Sequence, residues 1–173
     1  LKTEPEIASP EKSLPVRGLK QGIEFRDVSF VYSRQNNGHP TLDGINFSLP
    51  VGRSVGLVGR IGSGKSTVAH LVPRLFDVSS GEILMDGQDI RKFSLRELRR
   101  TLGYVPQDPF LFSSSLRRNL AFGRDEVSDE ELARAVKIAK LDRDLEIFPQ
   151  GMDTIVGERG VTLSGGQKQR ATL

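Results

Sequence analysis

Residues 59–67, Gly59-Arg60-Ile61-Gly62-Ser63-Gly64-Lys65-Ser66-Thr67, constrain the folding of this chain more than any other stretch. They satisfy the pattern G-x-x-x-x-G-K-[ST]. Before them runs a short apolar segment, SVGLVG at 54–59, and after them Val68, Leu71, Val72 and Leu75 recur at helical spacing. The order is strand, glycine-rich turn, helix. Glycines let such a turn wrap closely, so that successive backbone N–H groups point inward, and the helix adds the positive end of its dipole to the same place. Phosphate is the natural occupant. Lys65 is placed to set a point charge against β and γ phosphates, and the Ser66 hydroxyl to coordinate Mg²⁺. An ordinary turn with a nearby lysine is the alternative. Even as a phosphate loop, the motif leaves kinases, GTPases and motor ATPases open.

The rest of the chain supplies a mixed α/β pattern. Residues 1–22 carry Pro5, Pro10 and Pro15 among Glu, Lys and Ser without any period, and read as an extended linker. From Ile23 the run IEFRDVSFVY, the polar SRQNNGHP and then INFSLP read as two strands around a loop. Pro73 falls inside the helical pattern after the glycine-rich turn and predicts a kink or an early stop. GEILMDG predicts a strand ending in an Asp86-Gly87 turn. Ser94 with Glu97 is a capping box opening a helix with Leu95, Leu98 and Leu102 inward. LGYVPQDP at 102–109 reads as a strand broken by Pro106 and Pro109. A second capping box, Ser128 with Glu131, opens a helix with Leu132, Ala135, Val136 and Ala139 on one face.

Charge and composition exclude several classes. Lys plus Arg number 25 against 22 Asp plus Glu, and the two signs are interspersed, so nucleic-acid binding is not indicated. There is no cysteine, which points to a reducing compartment, and His39 and His70 are too few for a zinc cluster. No apolar run approaches the roughly 20 residues that span a bilayer, and no signal segment opens the chain. Nothing in these residues is expected to cross a membrane by itself.

A second motif narrows the class. Leu163-Ser164-Gly165-Gly166-Gln167 places two glycines and a serine at the start of a helix that continues through Lys168 and Arg170, another small anion cradle. A glycine hinge before a helix is the alternative reading. One nucleotide is not easily served by two cradles so far apart in a single molecule, whereas a head-to-tail pair lets each cradle complete the other's site.

At these two motifs the sequence resembles the ATP-binding cassette family, the ABC proteins, over about residues 23–173. The resemblance implies an α/β fold of the P-loop NTPase (ABC ATPase) type, with an N-terminal antiparallel β region and an α-helical subdomain. It implies a linker at 1–22 from an upstream transmembrane domain, a nucleotide-binding core with the antiparallel region at 23–106, a helical subdomain at 107–167 ending in the signature motif, and the start of the return to the core at 168–173. In the family the metal aspartate, the catalytic acid and the switch histidine follow the signature. The C-terminal core strands are therefore expected to be missing, with apolar surface and unpaired backbone left open.

Individual roles follow from the same resemblance. Ser164, Gly165, Gly166 and Gln167 match the element that contacts the γ-phosphate of ATP on a partner subunit. Tyr32 matches the aromatic that stacks on adenine, worth about 1–3 kcal/mol by analogy with other base stacking; a strand-core tyrosine is the alternative. Gln107 matches the glutamine whose amide oxygen reaches Mg²⁺ and the attacking water; a plain surface loop is the alternative. Residues 154–160, TIVGERG, resemble the segment that marks exporters and touches their coupling helices, or else a charged surface turn. With LFSSSLRRNLAFG at 111–123 they favour an exporter over an importer. Ile83-Leu84-Met85-Asp86 imitates the metal-aspartate strand, but Gly87 stands where the family has its acid, so Asp86 reads as a hairpin turn.

The resulting expectation is the ATP-binding part of an exporter whose intact parent hydrolyses ATP to drive transport. These residues are expected to bind Mg-ATP without efficient hydrolysis; no catalytic set is complete, and Lys65 and Gln107 support one. Expected partners are a second nucleotide-binding domain, identical or different, and the transmembrane domains of the same transporter, with no nucleic acid. The expected location is membrane-associated through the parent, on the cytoplasmic or matrix side. A soluble ABC ATPase of DNA repair or translation, and a degenerate non-hydrolysing partner subunit, are the alternatives.

Overall fold

The two strands read around the polar loop are present: β1 (Gly22–Phe30) pairs antiparallel with β2 (Leu42–Pro50). The computed structural model describes residues 5–16, 18–32, 39–124, 126–157 and 162–173. They form two compact units, Leu1–Gly103 and Tyr104–Leu173.

In the first unit β1 also pairs with β3 (Ser80–Met85), and β3 turns back into β4 (Gln88–Asp89). The antiparallel sheet has the order β2-β1-β3-β4. Strict alternation along β1 would turn Asp27 and Ser29 inward with Phe25, because side chains on a strand have a period of two. A bulge at Asp27 prevents this. Its φ is 47°, the register shifts between Phe25 and Val28, and Phe25, Val28 and Phe30 all become buried. Asn46 secures the bulge: its Oδ1 accepts the Asp27 N–H at 2.9 Å, and its Nδ2 donates to Asp27 Oδ1 at 2.7 Å. Gly81, with φ 78°, lies so close that a Cβ would sit 2.3 Å from the Asp27 carbonyl oxygen.

Helices α1 (Lys65–Leu71) and α2 (Leu95–Arg100) contribute Val68, Leu71 and Leu98 to one core with Phe25, Val28, Ile83 and Met85. Each fully buried leucine contributes about 1.5–3 kcal/mol through lost apolar exposure. As Pro73 predicts, α1 stops at Leu71. Arg74 then takes φ 51°, its N–H reaching Leu71 O and the Leu75 N–H reaching His70 O, each at 3.0 Å. This is the paired-bond helix ending usually made by glycine. The Arg74 guanidinium is buried and held by Asp77 through two bonds of 2.8 Å. Ser94 caps α2, its Oγ accepting the Glu97 N–H at 3.2 Å.

Met85 and Gln88 flank the Asp86-Gly87 turn, where φ is 52° and 76°; two left-handed residues suit the twist of a tight hairpin. Asp86 does more than turn the chain. Its carboxylate accepts the N–H groups of Lys20 at 2.9 Å, Gln21 at 2.6 Å and Gly22 at 3.1 Å. The Leu14 N–H donates to Lys92 O at 2.8 Å, and Ser9 Oγ accepts the Leu95 N–H at 3.0 Å. The described part of the segment read as a linker is thus strapped onto the first unit.

Two expected strands are not formed. Residues 54–59 and 102–109 contain no strand, and Val58 is 98% exposed. An extended apolar run becomes a strand only when another backbone pairs with it, and no strand among the described residues pairs with either run.

The second unit is mainly helical, as the pattern opened by the Ser128 capping box predicts. β5 (Ser114–Ser115) leads into α3 (Leu116–Leu120), followed by α4 (Asp129–Ile138), α5 (Asp142–Leu145), β6 (Ile155–Val156) paired antiparallel to β5, and α6 (Gly165–Ala171). Ser128 and Glu131 make the full reciprocal cap. The inward stripe of α4 is narrower than its spacing suggests: Leu132 and Val136 are buried, Ala139 is half-buried and Ala135 is exposed. Leu116, Val136, Leu141, Phe148, Val156, Leu163 and Ala171 form the core.

Burial of the Asp86 carboxyl opposes ionisation, but the N–H groups of Gln21, Gly22 and Lys20 outweigh it and hold the group below the usual carboxylate range. A depressed carboxyl contributes stability that is present above its unfolded pKa, about 3.9, and lost as pH falls through the lower folded value. Asp86→Ala is expected to speed hydrogen exchange at the Lys20 and Gln21 amides about tenfold or more. Acidification below the ordinary carboxylate range should do the same to the unaltered chain.

Candidate functional site

Gly64 ends the glycine-rich loop and caps α1 in the left-handed conformation, φ 86°, without a side-chain cap. A Cβ there would lie 2.7 Å from Leu42 Cδ2 and 2.9 Å from Thr41 O. The loop is therefore seated directly on the start of β2. Thr67, Val68 and Leu71 bury one face of α1 and fix its direction, so the loop's position follows from the core beneath it. Ser63 N–H closes a turn on Arg60 O at 3.2 Å, and Ile61 stands fully exposed at the tip.

Lys65 folds back across the loop. Its ammonium donates to Gly59 O at 2.9 Å and Arg60 O at 2.7 Å, with Ser63 Oγ at 3.4 Å. The charge is held at the loop by weak neutral acceptors, which an anionic oxygen can replace with stronger bonds. Gly62, Ser63, Gly64, Lys65, Ser66 and Thr67 line a cavity of ≈ 270 Å³ together with Tyr32 and Thr41. Among the described residues no carboxylate lines it. Tyr32 packs edge-on against Phe30 at 4.7 Å and Phe76 at 5.3 Å, and its hydroxyl lies 3.2 Å from Thr67 Oγ1. Its ring is half-buried just beyond the end of β1 and forms a wall of the cavity.

The donors fit a phosphate chain: a glycine cradle too tight for any Cβ at Gly64, a lysine and a hydroxyl. They also fit Mg²⁺ arriving with that chain, since this ion keeps waters and takes one or two protein oxygens plus phosphates in preference to a protein cage. Among the described residues no cluster of three or more His, Cys, Asp or Glu could hold a metal alone.

The second unit carries the other singled-out residues. Gln107 lies exposed on a bend between Pro106 and Pro109. Ser164 caps α6: its Oγ accepts the Gln167 N–H at 3.2 Å, and Gln167 Oε1 accepts the Ser164 N–H at 2.8 Å. Gly165 and Gly166 form the first turn, and Leu163 is buried beneath it. Thr154 is buried, and Ile155 and Val156 are strand β6, so the first half of 154–160 is structural pairing. Glu158, Arg159 and Gly160 lie outside the described residues.

Two residues escaped the sequence reading. Thr41 lines the loop cavity through its place immediately before β2. Asp144, on α5, accepts from Gln167 Nε2 at 3.0 Å and from Arg170 at 3.2 and 2.7 Å. The bond from Gln167, then those from Arg170 and its charge, hold the Asp144 carboxyl below its ordinary value against the opposing effect of burial. Neither residue belongs to a short motif, and Asp144 meets Gln167 across 23 positions.

Comparison with known proteins supplies the family. The model described as ABC transporter matches residues 42–173. The chain is 45% identical over 173 residues to the uncharacterized ABC transporter ATP-binding protein YwjA of Bacillus subtilis, covering all of this chain and 30% of that protein. It is 45% identical over 159 residues to an ATP-dependent lipid A-core flippase of Pectobacterium atrosepticum, covering 91% of this chain and 27% of the flippase. A solved bacterial Atm1-family ABC exporter with ATP bound superposes with a TM-score of 0.90 at 40% identity, over 99% of this chain and 30% of that one. The chain thus spans under a third of the length of these relatives.

Gly64→Ala meets both a left-handed backbone and a carbonyl oxygen at 2.9 Å. It is expected to weaken binding of a fluorescent nucleoside triphosphate at least about tenfold, since strain of this kind costs on the order of 1–3 kcal/mol.

Proposed function

Because the chain belongs to the ABC transporter family, we propose that it is the ATP-binding part of an exporter, coupling nucleotide binding and hydrolysis in the parent to movement of a substrate across a membrane. The observation that carries this reading is the loop cavity, in which Lys65, Ser66, the Gly62 to Gly64 cradle and the Tyr32 ring face one space. The relatives named as a flippase and an exporter support the direction of transport.

In this reading Gly59, Arg60, Ile61, Gly62, Ser63, Gly64, Lys65, Ser66 and Thr67 wrap the phosphates. Lys65 exchanges two carbonyl partners for phosphate oxygens, trading neutral acceptors for charged ones. Tyr32 offers its ring to adenine while Phe30, Phe76 and Thr67 keep it from turning away. Ser66 would hold Mg²⁺, which when bound neutralises charge on the β and γ phosphates; the part of Gln107 toward that ion rests on the family resemblance alone. In a second, identical or different, nucleotide-binding domain, Ser164, Gly165, Gly166 and Gln167 face this domain's triphosphate. Ser164 Oγ already accepts a bond from Gln167 N–H, so its own proton is available to an anion. Pairing over ATP favours one arrangement of the transmembrane domains, and release favours the other.

Residues 1–22 then lead from the transmembrane part, 23–106 form the core, 107–167 the helical subdomain and 168–173 the return, on the cytoplasmic or matrix side of the membrane. In this reading these 173 residues alone bind Mg-ATP and hydrolyse it negligibly; among the described residues no carboxylate lines the cavity to activate water.

Equilibrium binding and ATP-dependent pairing of the purified protein separate the roles. Lys65→Ala is expected to weaken ATP binding on the order of a hundredfold, from the loss of charge-assisted bonds. Ser164→Ala should leave binding in place and lose the pairing. Phosphate release by residues 1–173 should not exceed that of Lys65→Ala. Unchanged ATP affinity in Lys65→Ala, or pairing that ignores ATP, would sink the proposal.

A further inference from the structure

The strongest unassigned group is Asp144, which belongs to neither glycine motif. Its side chain is only 15% exposed, yet it accepts three hydrogen bonds, all from α6: one from Gln167 and two from Arg170. A carboxylate can only accept. Facing it, the Gln167 amide must present Nε2, and this turns Oε1 toward the Ser164 N–H, where it accepts at 2.8 Å. The direction of the reciprocal cap on α6 is therefore chosen from α5. Arg170 adds a second hold one turn further along, its guanidinium fixed on Asp144 Oδ2.

We propose that Asp144 is a positioning residue for the 164–167 turn, orienting Gln167 and Arg170 so that Ser164 presents its hydroxyl, and the first turn its N–H groups, to the triphosphate held by a second copy. The proposal rests on the reading above that this turn acts on a second domain's nucleotide. Gln167 donates to Asp144 Oδ1 and Arg170 to Oδ2; an amide at 144 puts an NH2 donor in place of one of these oxygens, so in the present geometry one of the two partners faces a donor. Asp144→Asn preserves size and packing while removing one of these holds and freeing the Gln167 amide to reverse. The three bonds of the Asp144 side chain all go to α6, so ATP affinity at the 59–67 loop should be untouched.

The experiment uses the full-length protein with a fluorophore pair reporting approach of the two nucleotide-binding domains during ATP titration, alongside binding of a fluorescent ATP analogue and thermal melting. Asp144→Asn and Asp144→Ala are expected to raise the ATP concentration needed for approach by about tenfold, as loss of a charge-assisted bond implies. Asp144→Glu should recover part of the loss, and analogue affinity and melting should stay as in the parent. If Ser164→Ala abolishes approach while Asp144→Asn leaves it unchanged, the positioning role is wrong although the trans reading stands. If Ser164→Ala also leaves approach unchanged, the trans reading fails and takes this proposal with it. A fall in melting temperature and analogue affinity that parallels the loss of approach, as expected of the core variant Leu163→Ala, assigns Asp144 a structural role and overturns the proposal.

Discussion

The glycine-rich loop depends on one close approach, the backbone of Gly64 against Thr41 O and Leu42 at the start of β2. No side chain fits between them. That contact ties the end of the loop to the antiparallel sheet, and Thr67, Val68 and Leu71 tie the following helix to the core below. The geometry of the phosphate cradle is thus set by packing outside it. The sheet in turn relies on the Asp27 bulge, since without it β1 would offer Asp27 and Ser29 to the core in place of Val28 and Phe30.

The second unit solves a similar problem with polar groups. The first turn of α6 has backbone donors that no helical partner satisfies, and the Ser164 and Gln167 cap accounts for part of them. Asp144 then fixes the cap from outside the helix. The two glycine motifs are alike in this respect: at each, residues distant in sequence hold the first turn of a short helix in place. Rigid donors cost little reorganisation when an anion arrives, which favours binding by pre-organisation.

The strap formed by the described part of residues 5–22 gives the first unit a further feature. Asp86 gathers three consecutive N–H groups, and Leu14 and Ser9 fasten the chain farther back. The segment is therefore bonded to the β3–β4 turn and is not a free tail on the first unit.

Local chemistry was decided by the sequence. The Ser94 and Ser128 caps, the Asp86-Gly87 turn and the stop before Pro73 each depend on residues within a few positions, where steric and hydrogen-bond preferences act without help from the fold; the 59–67 and 163–167 motifs are local as patterns, while their seating is not. The resemblance carried by 59–67 and 163–167 also gave the family. Tertiary structure decided the rest. Asp86 meets Gln21 across 65 positions, Tyr32 meets Thr67 across 35 and Asp144 meets Arg170 across 26. Such pairs have no local signature, because only closure of the chain brings them together. Residues 54–59 show the same limit from the other side. Their apolar, small-residue pattern predicts a strand, but a strand is a relation between two backbones, and a single run of sequence specifies only one of them.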